Sequence, residues 1–215
     1  VEQQGGGLIL TSESGRTYPA DLIIEATGRV PDLSVLSGSA ARVKADTSGI
    51  AVNEYLQSVS NPTVYAIGDC AAQGPMLATV ADEQGKIAAA NILKGNHLTM
   101  DYAIIPSAVF TIPNLAAVGL TQEAAEQRNL DFRVNTGQAT GWPSSKRIGE
   151  AHASYKILIE DGSELILGAH LARHNAAESI NILALAMKFK IPASELARFL
   201  WAYPTMASDL KYMVS

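Results

Sequence analysis

The sequence predicts a protein of mixed helices and strands, with an α/β first region and an α+β second region. Short apolar runs bounded by Gly, Pro or Asn recur along the chain and are typical of strands. Two longer segments, one rich in Ala and one with helically spaced apolar residues, predict helices. Hydrophobic residues make up 47% and charged residues 17% of the 215 residues, which is a globular composition.

The first region, up to about residue 99, opens with strand signals. Residues 8–11 and 17–24 are rich in apolar side chains and are separated by a Glu-Ser-Gly turn signal at 13–15. Within the second run, residues 21–26 have the pattern of a mostly buried strand that stops at Gly28. We therefore expect a strand, a turn and a second strand here.

A loop with a Gly/Ser-rich stretch at residues 37–40 follows, and then the strand–helix pattern resumes. Residues 63–67 predict a short buried strand that ends at Gly68 and Asp69. The Ala-rich segment 79–93 contains no Pro, and Gly95-Asn96 follows it as a helix C-cap. This segment predicts a helix.

The second region, from about residue 104, has hairpin and helix signals. Residues 108–111 and 116–119 predict short strands around a Pro-Asn turn, and residues 154–159 and 164–170 predict a hairpin. Thr121 is a candidate N-cap for a short helix. The remaining predictions are a helix over 175–190 stopped by Pro192, a helix near Ser194 and a last one capped by Thr205.

Composition limits the classes of function. The net charge of −5 argues against nucleic-acid binding, which needs a basic face. No apolar run approaches the roughly 18 residues of a membrane span, and the first residues are not a signal peptide. The single Cys70 excludes an internal disulfide and suits a cytoplasmic protein. The chain opens without Met on a strand-like run, which favours a start inside a larger protein.

Two sites carry residues suited to ligand chemistry. Gly28 and Arg29 follow a predicted strand, where Gly permits close approach and Arg supplies a fixed charge. Asp69 follows another, and a carboxylate there can accept hydrogen bonds from sugar-like hydroxyls. The helix start near Leu77 and Ala78 offers unpaired N–H groups. The alternatives are that Arg29 is only an exposed loop residue and that Asp69 only starts a turn.

Taken together and in this order, the segments 20–31, 63–69 and 77–81 resemble those of flavoenzymes of the glutathione reductase type, the class I pyridine nucleotide-disulfide oxidoreductases. The resemblance implies that Gly68 and Asp69 contact the ribityl chain of FAD and that Leu77 and Ala78 face the flavin pyrimidine. It places Gly28 and Arg29 near NAD(P)H. A Thr is more usual in the family where Ala78 stands.

The resemblance continues through the second region, where segments near 105–121, 155–158, 166–170 and 175–178 look like the family's interface domain. It implies a division into residues 1–103, the C-terminal remnant of the NAD(P)- and FAD-binding domains, and residues 104–215, an interface domain with an antiparallel sheet flanked by helices. It also implies a homodimer through residues 105–215, with no nucleic-acid or membrane partner.

Two departures from the family pattern matter. The family's redox cysteine pair and its Gly-rich nucleotide fingerprints are absent, so we expect this chain alone to be inactive and to bind no cofactor. Tyr203 stands where disulfide-reducing members have the His that transfers protons. A phenol with an ordinary pKa of about 10 is a poor base at neutral pH. Mercuric reductases also carry Tyr near this position, although their C-terminal cysteine pair is missing here.

The predicted function is therefore the C-terminal part of an FAD- and NAD(P)H-dependent oxidoreductase, with Tyr203 reaching the partner subunit's active site. The alternative is a non-catalytic interaction module that occurs as a separate protein.

Cys70 is interpreted as a buried filler, and the two Trp residues as core or interface anchors. His170 and His174 are four apart but are not expected on one helix, so no metal site is predicted.

Overall fold

The structure is a computed structural model that describes residues 1–36 and 41–215, and the predicted Gly/Ser-rich stretch 37–40 lies outside the described residues. The chain forms two compact units, Val1–Met100 and Asp101–Ser215. Each unit is described below by itself.

The first unit begins with a three-stranded antiparallel sheet. Its strands are β1 (Glu2–Gln4), β2 (Gly7–Thr11) and β3 (Thr17–Ala20), in the order β1-β2-β3. In the pairing of β2 with β3, Leu8 lies opposite Ala20. The prediction of strands on both sides of the turn at 13–15 is confirmed, and β1 was not predicted.

The predicted buried strand at residues 21–26 is wrong in this structure. These residues form no strand, and the side chains of Leu22 and Ile24 are 74% and 81% exposed. An apolar run becomes a buried strand only when neighbouring strands cover its edges and faces, and no described residue pairs with this run. The sequence pattern was therefore correct about hydrophobicity but not about burial.

The middle of the first unit consists of short elements around one long helix. Two 3-10 turns (Ser34–Leu36 and Gly68–Cys70) and a two-stranded hairpin of β4 (Ala45–Asp46) and β5 (Gly49–Ile50) precede helix α1 (Ala78–Lys94). The predicted helix over 79–93 is confirmed. The predicted strand at 63–67 is reduced to an isolated antiparallel bridge between Tyr65 and Gln57, because too few backbone partners lie beside it.

The core of the first unit is divided between two small clusters of apolar side chains. One contains Ile50, Ala66 and Ala71, and the other contains Leu56, Ile87 and Ala88. The second cluster lies under α1, whose Asn91 side chain also bonds the Tyr55 and Leu98 carbonyls at 3.1 and 2.9 Å. The long helix is thus held on one side by apolar contacts and near its C-terminus by a buried amide.

The second unit is built on a five-stranded antiparallel sheet with the order β6-β7-β10-β9-β8. The strands are β6 (Ser107–Val109), β7 (Leu115–Gly119), β8 (Phe132–Gln138), β9 (Ser154–Glu160) and β10 (Ile166–Ala172). The predicted hairpin is the β9–β10 pair, and the predicted strands at 108–111 and 116–119 are β6 and β7. Strand β8, at the sheet edge, was not predicted.

The second unit also contains helices. They are α2 (Gln122–Gln127), α3 (Pro143–Arg147), α4 (Ala176–Lys188), α5 (Ala193–Arg198) and the short α6 (Leu210–Met213). The Thr121 side chain caps α2 by accepting a bond from the Ala124 N–H at 3.2 Å, as predicted. Helix α4 confirms the predicted helix over 175–190, although it ends two residues earlier. The expected antiparallel sheet with flanking helices is therefore observed.

One apolar core joins α4 and the C-terminal segment to one face of the sheet. In β9 three consecutive residues, Ile157 to Ile159, are buried, and in β10 buried and half-buried residues mostly alternate. Helix α4 contributes residues with the i, i+3, i+4 spacing that the sequence predicted. The cluster includes Val118, Ile157, Ile159, Leu171, Ile180, Leu183, Ala184, Leu210 and Met213.

Candidate functional site

The Gly68–Asp69 turn is tied to α1 by a buried glutamine. The Gln84 side chain is fully buried and its Oε1 accepts a bond from the Gly68 N–H at 2.6 Å. Its Nε2 donates to the Gln73 carbonyl at 3.0 Å. Gly68 has a φ of +64°, which is left-handed backbone that favours glycine. The turn therefore keeps a fixed place beside the helix.

The hairpin of β4 and β5 supports the same turn from another side. Ile50 forms a parallel bridge with Ala71, and its carbonyl accepts a bond from the Ala72 N–H at 3.0 Å. A Cβ at Gly49 would lie 2.7 Å from the Cys70 carbonyl oxygen, so this close approach requires glycine. The turn is thus supported by backbone on one side and by Gln84 on the other.

The turn presents one free carboxylate. Asp69 is exposed, and its side chain makes no hydrogen bond or ion pair with the described residues. Cys70 beside it is half-buried, and its thiol donates to the Ile67 carbonyl at 3.1 Å. Cys70, which was predicted to be a small buried filler, is thus half-buried. Asp69 remains available to accept hydrogen bonds from a ligand.

The beginning of α1 presents free N–H groups. Leu77 is the N-cap residue and provides no side-chain cap. The Leu77 N–H donates to the Pro75 carbonyl at 2.9 Å. Of the two residues expected to face a ligand, Ala78 therefore has the N–H group that remains available. Within the described residues the N–H groups of Ala78 and Thr79 have no partner. This helix end has the positive potential that suits electron-rich ligand atoms.

Gly28 and Arg29 lie in an irregular exposed segment of the first unit. Gly28 has a φ of +117°, and no atom lies within 4 Å of a Cβ built on it. The Arg29 side chain makes no ion pair or hydrogen bond with the described residues. The structure places these two residues in the open and does not join them to the Gly68–Asp69 turn.

Tyr203 lies in the second unit, just before the last helix. Its side chain is 63% exposed and forms no hydrogen bond with the described residues. Thr205, two residues later, bonds the Ala202 carbonyl through its hydroxyl at 2.7 Å. Tyr203 is thus an exposed phenol on an ordered segment.

The described residues contain no group of three or more His, Cys, Asp or Glu side chains that could hold a metal ion. His170 lies in the middle of β10, where its Nε2 is 3.0 Å from the Leu120 carbonyl oxygen, and His174 precedes α4. Trp142 and Trp201 pack against the large core as half-buried side chains. Across the described ranges, no helix is long and apolar enough to cross a membrane.

Sequence reasoning missed the residues that hold these elements in place. Gln84 is polar and lies within an Ala-rich helix, so only its spacing from Gly68 could have suggested a link. Gly49 lies in a Ser-Gly pair that looks like an ordinary turn. Arg173 is fully buried, although an Arg after a strand normally predicts exposure. None of the three gives a distinctive local signal.

The fold agrees with the family comparisons. Residues 105–214 match the dimerisation domain of pyridine nucleotide-disulphide oxidoreductases, and residues 1–85 match the family described as pyridine nucleotide-disulphide oxidoreductase. The chain belongs to this oxidoreductase family. The resemblance drawn from the sequence is confirmed.

Individual relatives give the chain its place within the family. It is 45% identical over 167 residues to an uncharacterised 19.7 kDa protein in a mercuric resistance operon of Staphylococcus aureus, covering 77% of this chain and 93% of that protein. It is 34% identical to dihydrolipoyl dehydrogenase 1, mitochondrial, of Arabidopsis thaliana, covering 98% of this chain and 42% of the relative. It is 32% identical to mercuric reductase of Staphylococcus aureus, covering 98% and 39%.

The solved structures show the same fold. The HOCl-induced flavoprotein disulfide reductase RclA from Escherichia coli matches with a TM-score of 0.84 at 22% identity, covering 98% of this chain and 48% of that one. Apart from the 19.7 kDa protein, the chain spans well under half the length of the curated relatives named above. These lengths favour a part of a larger oxidoreductase over a separate interaction module.

Proposed function

We propose that this chain supplies part of the flavin site and the homodimer interface of an FAD- and NAD(P)H-dependent oxidoreductase. In this proposal residues 1–103 are the C-terminal part of the nucleotide-binding domains and residues 104–215 are the interface domain. The observation that carries it is the Gly68–Asp69 turn, which Gln84 ties to α1. A free carboxylate and free N–H groups are thereby held on neighbouring parts of one unit.

The residues present fit a flavin. The unpaired Asp69 carboxylate is suited to accept hydrogen bonds from the ribityl hydroxyls, and the free Ala78 N–H is suited to donate to the pyrimidine edge. FAD held by Asp69 and Ala78 would supply hydride and electron transfer between NAD(P)H and an acceptor. Arg29 would pair with the negative charge of the nicotinamide nucleotide, and Gly28, which has no side chain, would permit its close approach.

Tyr203 is proposed to act at the acceptor. Its exposed phenol can donate one hydrogen bond to a bound acceptor, but at neutral pH it is a weaker proton acceptor than a histidine. The relative in a mercuric resistance operon supports an acceptor of the mercuric-reductase type over a small-thiol disulfide. In the parent enzyme, Tyr203→Phe should lower turnover of the acceptor and leave reduction of the flavin by NAD(P)H unchanged.

The first experiment is to sequence the coding DNA upstream of the Val1 codon and express the whole reading frame. The proposal expects a further segment with a Gly-rich nucleotide fingerprint, and a yellow protein with stoichiometric FAD. Asp69→Ala should lower its FAD content, while Asp82→Ala, which changes an exposed carboxylate on α1, should not. A complete reading frame that binds no flavin would contradict the proposal.

The homodimer is supported by apolar side chains that the second unit leaves exposed. Leu185 and Phe189, at the outer side of α4 and just beyond it, are 56% and 69% exposed. Phe199 and Leu200 are exposed in the segment that follows α5. A stable dimer needs an apolar patch of this kind, burying upwards of about 1,200 Å² in total.

Light scattering at micromolar concentration tests the interface. The unchanged chain should have the mass of a dimer. Leu185→Glu should shift the mass toward that of the monomer, because a carboxylate would be buried in the dimer interface. Val59→Glu is the matched control, since Val59 is an exposed apolar residue of the first unit. A monomer in the unchanged chain, or equal effects of the two variants, would count against this interface.

A further inference from the structure

A buried ion pair lies near the end of the second unit. The Arg173 side chain is fully buried, and its Nη2 lies 2.6 Å from Oδ2 of Asp209, which is also buried. The Nε and Nη1 atoms of Arg173 have no hydrogen-bond partner among the described residues. Removing two charges from water is costly, so apolar side chains of similar volume would be at least as stabilising. The pair is therefore better explained by the geometry it specifies.

The pair joins segments that lie far apart in the sequence. Nη2 of Arg173 also donates to the Ser144 hydroxyl at 3.3 Å and contacts the Met206 sulfur at 2.8 Å. The Ser144 hydroxyl donates to Asp209. The guanidinium lies over the ring of Trp142 at 5.8 Å. Helix α3, the loop before α4 and the C-terminal segment thus meet at one guanidinium.

Hydrogen bonds connect the residue before Asp209 to the residue before Tyr203. Ser208 precedes Asp209, and its N–H donates to the Thr205 hydroxyl at 3.0 Å. The Thr205 N–H donates in return to the Ser208 hydroxyl at 3.1 Å, and the Thr205 hydroxyl donates to the Ala202 carbonyl at 2.7 Å. These bonds hold the backbone between Ser208, which is next to the buried carboxylate, and Ala202, which is next to the exposed Tyr203.

We propose that Arg173 and Asp209 are positioning residues that fix the exposed loop 202–204 and with it the direction of the Tyr203 phenol. A shifted tail would leave a charged guanidinium unpaired inside the core, so other placements of the tail are excluded. The use made of Tyr203 rests on the proposed function. The mechanical link from Arg173 to Tyr203 does not depend on flavin or on dimer formation.

Hydrogen exchange resolved by peptide mass spectrometry tests the link in this chain. Asp209→Asn keeps the shape of the side chain but removes its charge, and exchange in residues 202–210 should rise about tenfold relative to β9. Glu164→Gln is the matched control. It also replaces a carboxylate by an amide, but in the partly exposed ion pair of Arg133 and Glu164 in the same unit. The control should leave the ratio of tail to β9 exchange unchanged.

A milder variant keeps the test decisive if Asp209→Asn does not fold. Ser144→Ala removes one hydroxyl from the cluster and retains the ion pair, and tail exchange should rise about threefold. With 3-fluorotyrosine incorporated, the ¹⁹F resonance of Tyr203, assigned with Tyr203→Phe, should shift and narrow in the variants as the loop loosens. Tail exchange and a Tyr203 resonance that stay as in the unchanged chain, or that change equally in Glu164→Gln, would overturn the proposal.

Discussion

The two units differ in how completely each one builds its own core. In the second unit, β6 to β10 pair with one another and α4 covers one face of the sheet, so a single apolar cluster forms. The first unit has two small clusters, and the apolar side chains of Leu22 and Ile24 remain exposed. Antiparallel hairpins find their partners nearby in sequence, whereas an isolated apolar run needs strands from elsewhere.

The largest expected difference is in backbone protection. Residues 157–159 lie in the centre of the five-stranded sheet and should exchange their amide hydrogens only through large openings. Residues 21–26 have no strand partner among the described residues and should exchange at least about a thousandfold faster. Native-state hydrogen exchange measures both segments in one sample. Equal protection of the two segments would show that the first unit has a covered strand here after all.

A matched pair of leucine truncations compares the two cores directly. Leu183 and Leu56 are both fully buried, the first in the large cluster and the second in a small one. Leu183→Ala should lower the free energy of unfolding by about 3–5 kcal/mol, because a tightly enclosed site cannot collapse around the cavity. Leu56→Ala should cost about 2–3 kcal/mol. Exchange labelling at increasing urea gives a midpoint for each unit, and a larger loss for Leu56→Ala would reverse the comparison.

The next largest expected effect concerns the buried Gln84 side chain, which stabilises the first unit through two hydrogen bonds. Gln84→Ala leaves the Gly68 N–H and the Gln73 carbonyl without their partner, which should cost about 1–3 kcal/mol. Exchange in the Gly68–Cys70 turn should rise, and the second unit should be unaffected. Glu83→Ala is the control on the same helix, since the Glu83 carboxylate makes an exposed ion pair with Lys86. An equal change in both variants would contradict a specific role of Gln84.

The smallest expected effect is a dependence of the stability of the second unit on pH. Two hydrogen bonds of 2.6 Å from Arg133 lower the pKa of the Glu164 carboxyl below its ordinary value. Because the folded pKa lies below the unfolded one, the stabilisation is present above the unfolded pKa of about 4.3 and is lost as the pH falls through the folded pKa. The urea midpoints of the unchanged chain and Glu164→Gln should therefore converge only in acid.

Tryptophan fluorescence follows this convergence well, since both Trp residues belong to the second unit. Glu126→Gln is a suitable control, because the Glu126 carboxylate has no Arg or Lys partner among the described residues and accepts a bond from Gln122. Its midpoint difference should change little across the same pH range. Midpoints of Glu164→Gln that diverge in acid would contradict the sign of the pKa change.

The comparison also explains which predictions from sequence succeeded. Helices α1 and α4, the Thr121 cap and the β9–β10 hairpin depend on residues a few positions apart, and all were predicted. The family was identified from short motifs in their order along the chain. The strands at 21–26 and 63–67 were predicted from hydrophobicity alone and did not form as strands.

The sequence by itself determined the local elements, the candidate residues Asp69 and Tyr203, and the family, because periodicity, capping and motif order are properties of neighbouring residues. Only the tertiary structure decided that Gln84 supports the Gly68–Asp69 turn and that Arg173 is buried against Asp209. These partners are 16 and 36 residues apart. Whether such polar side chains meet inside the protein or remain in water depends on the packing of whole elements, and local patterns in the sequence do not record that choice.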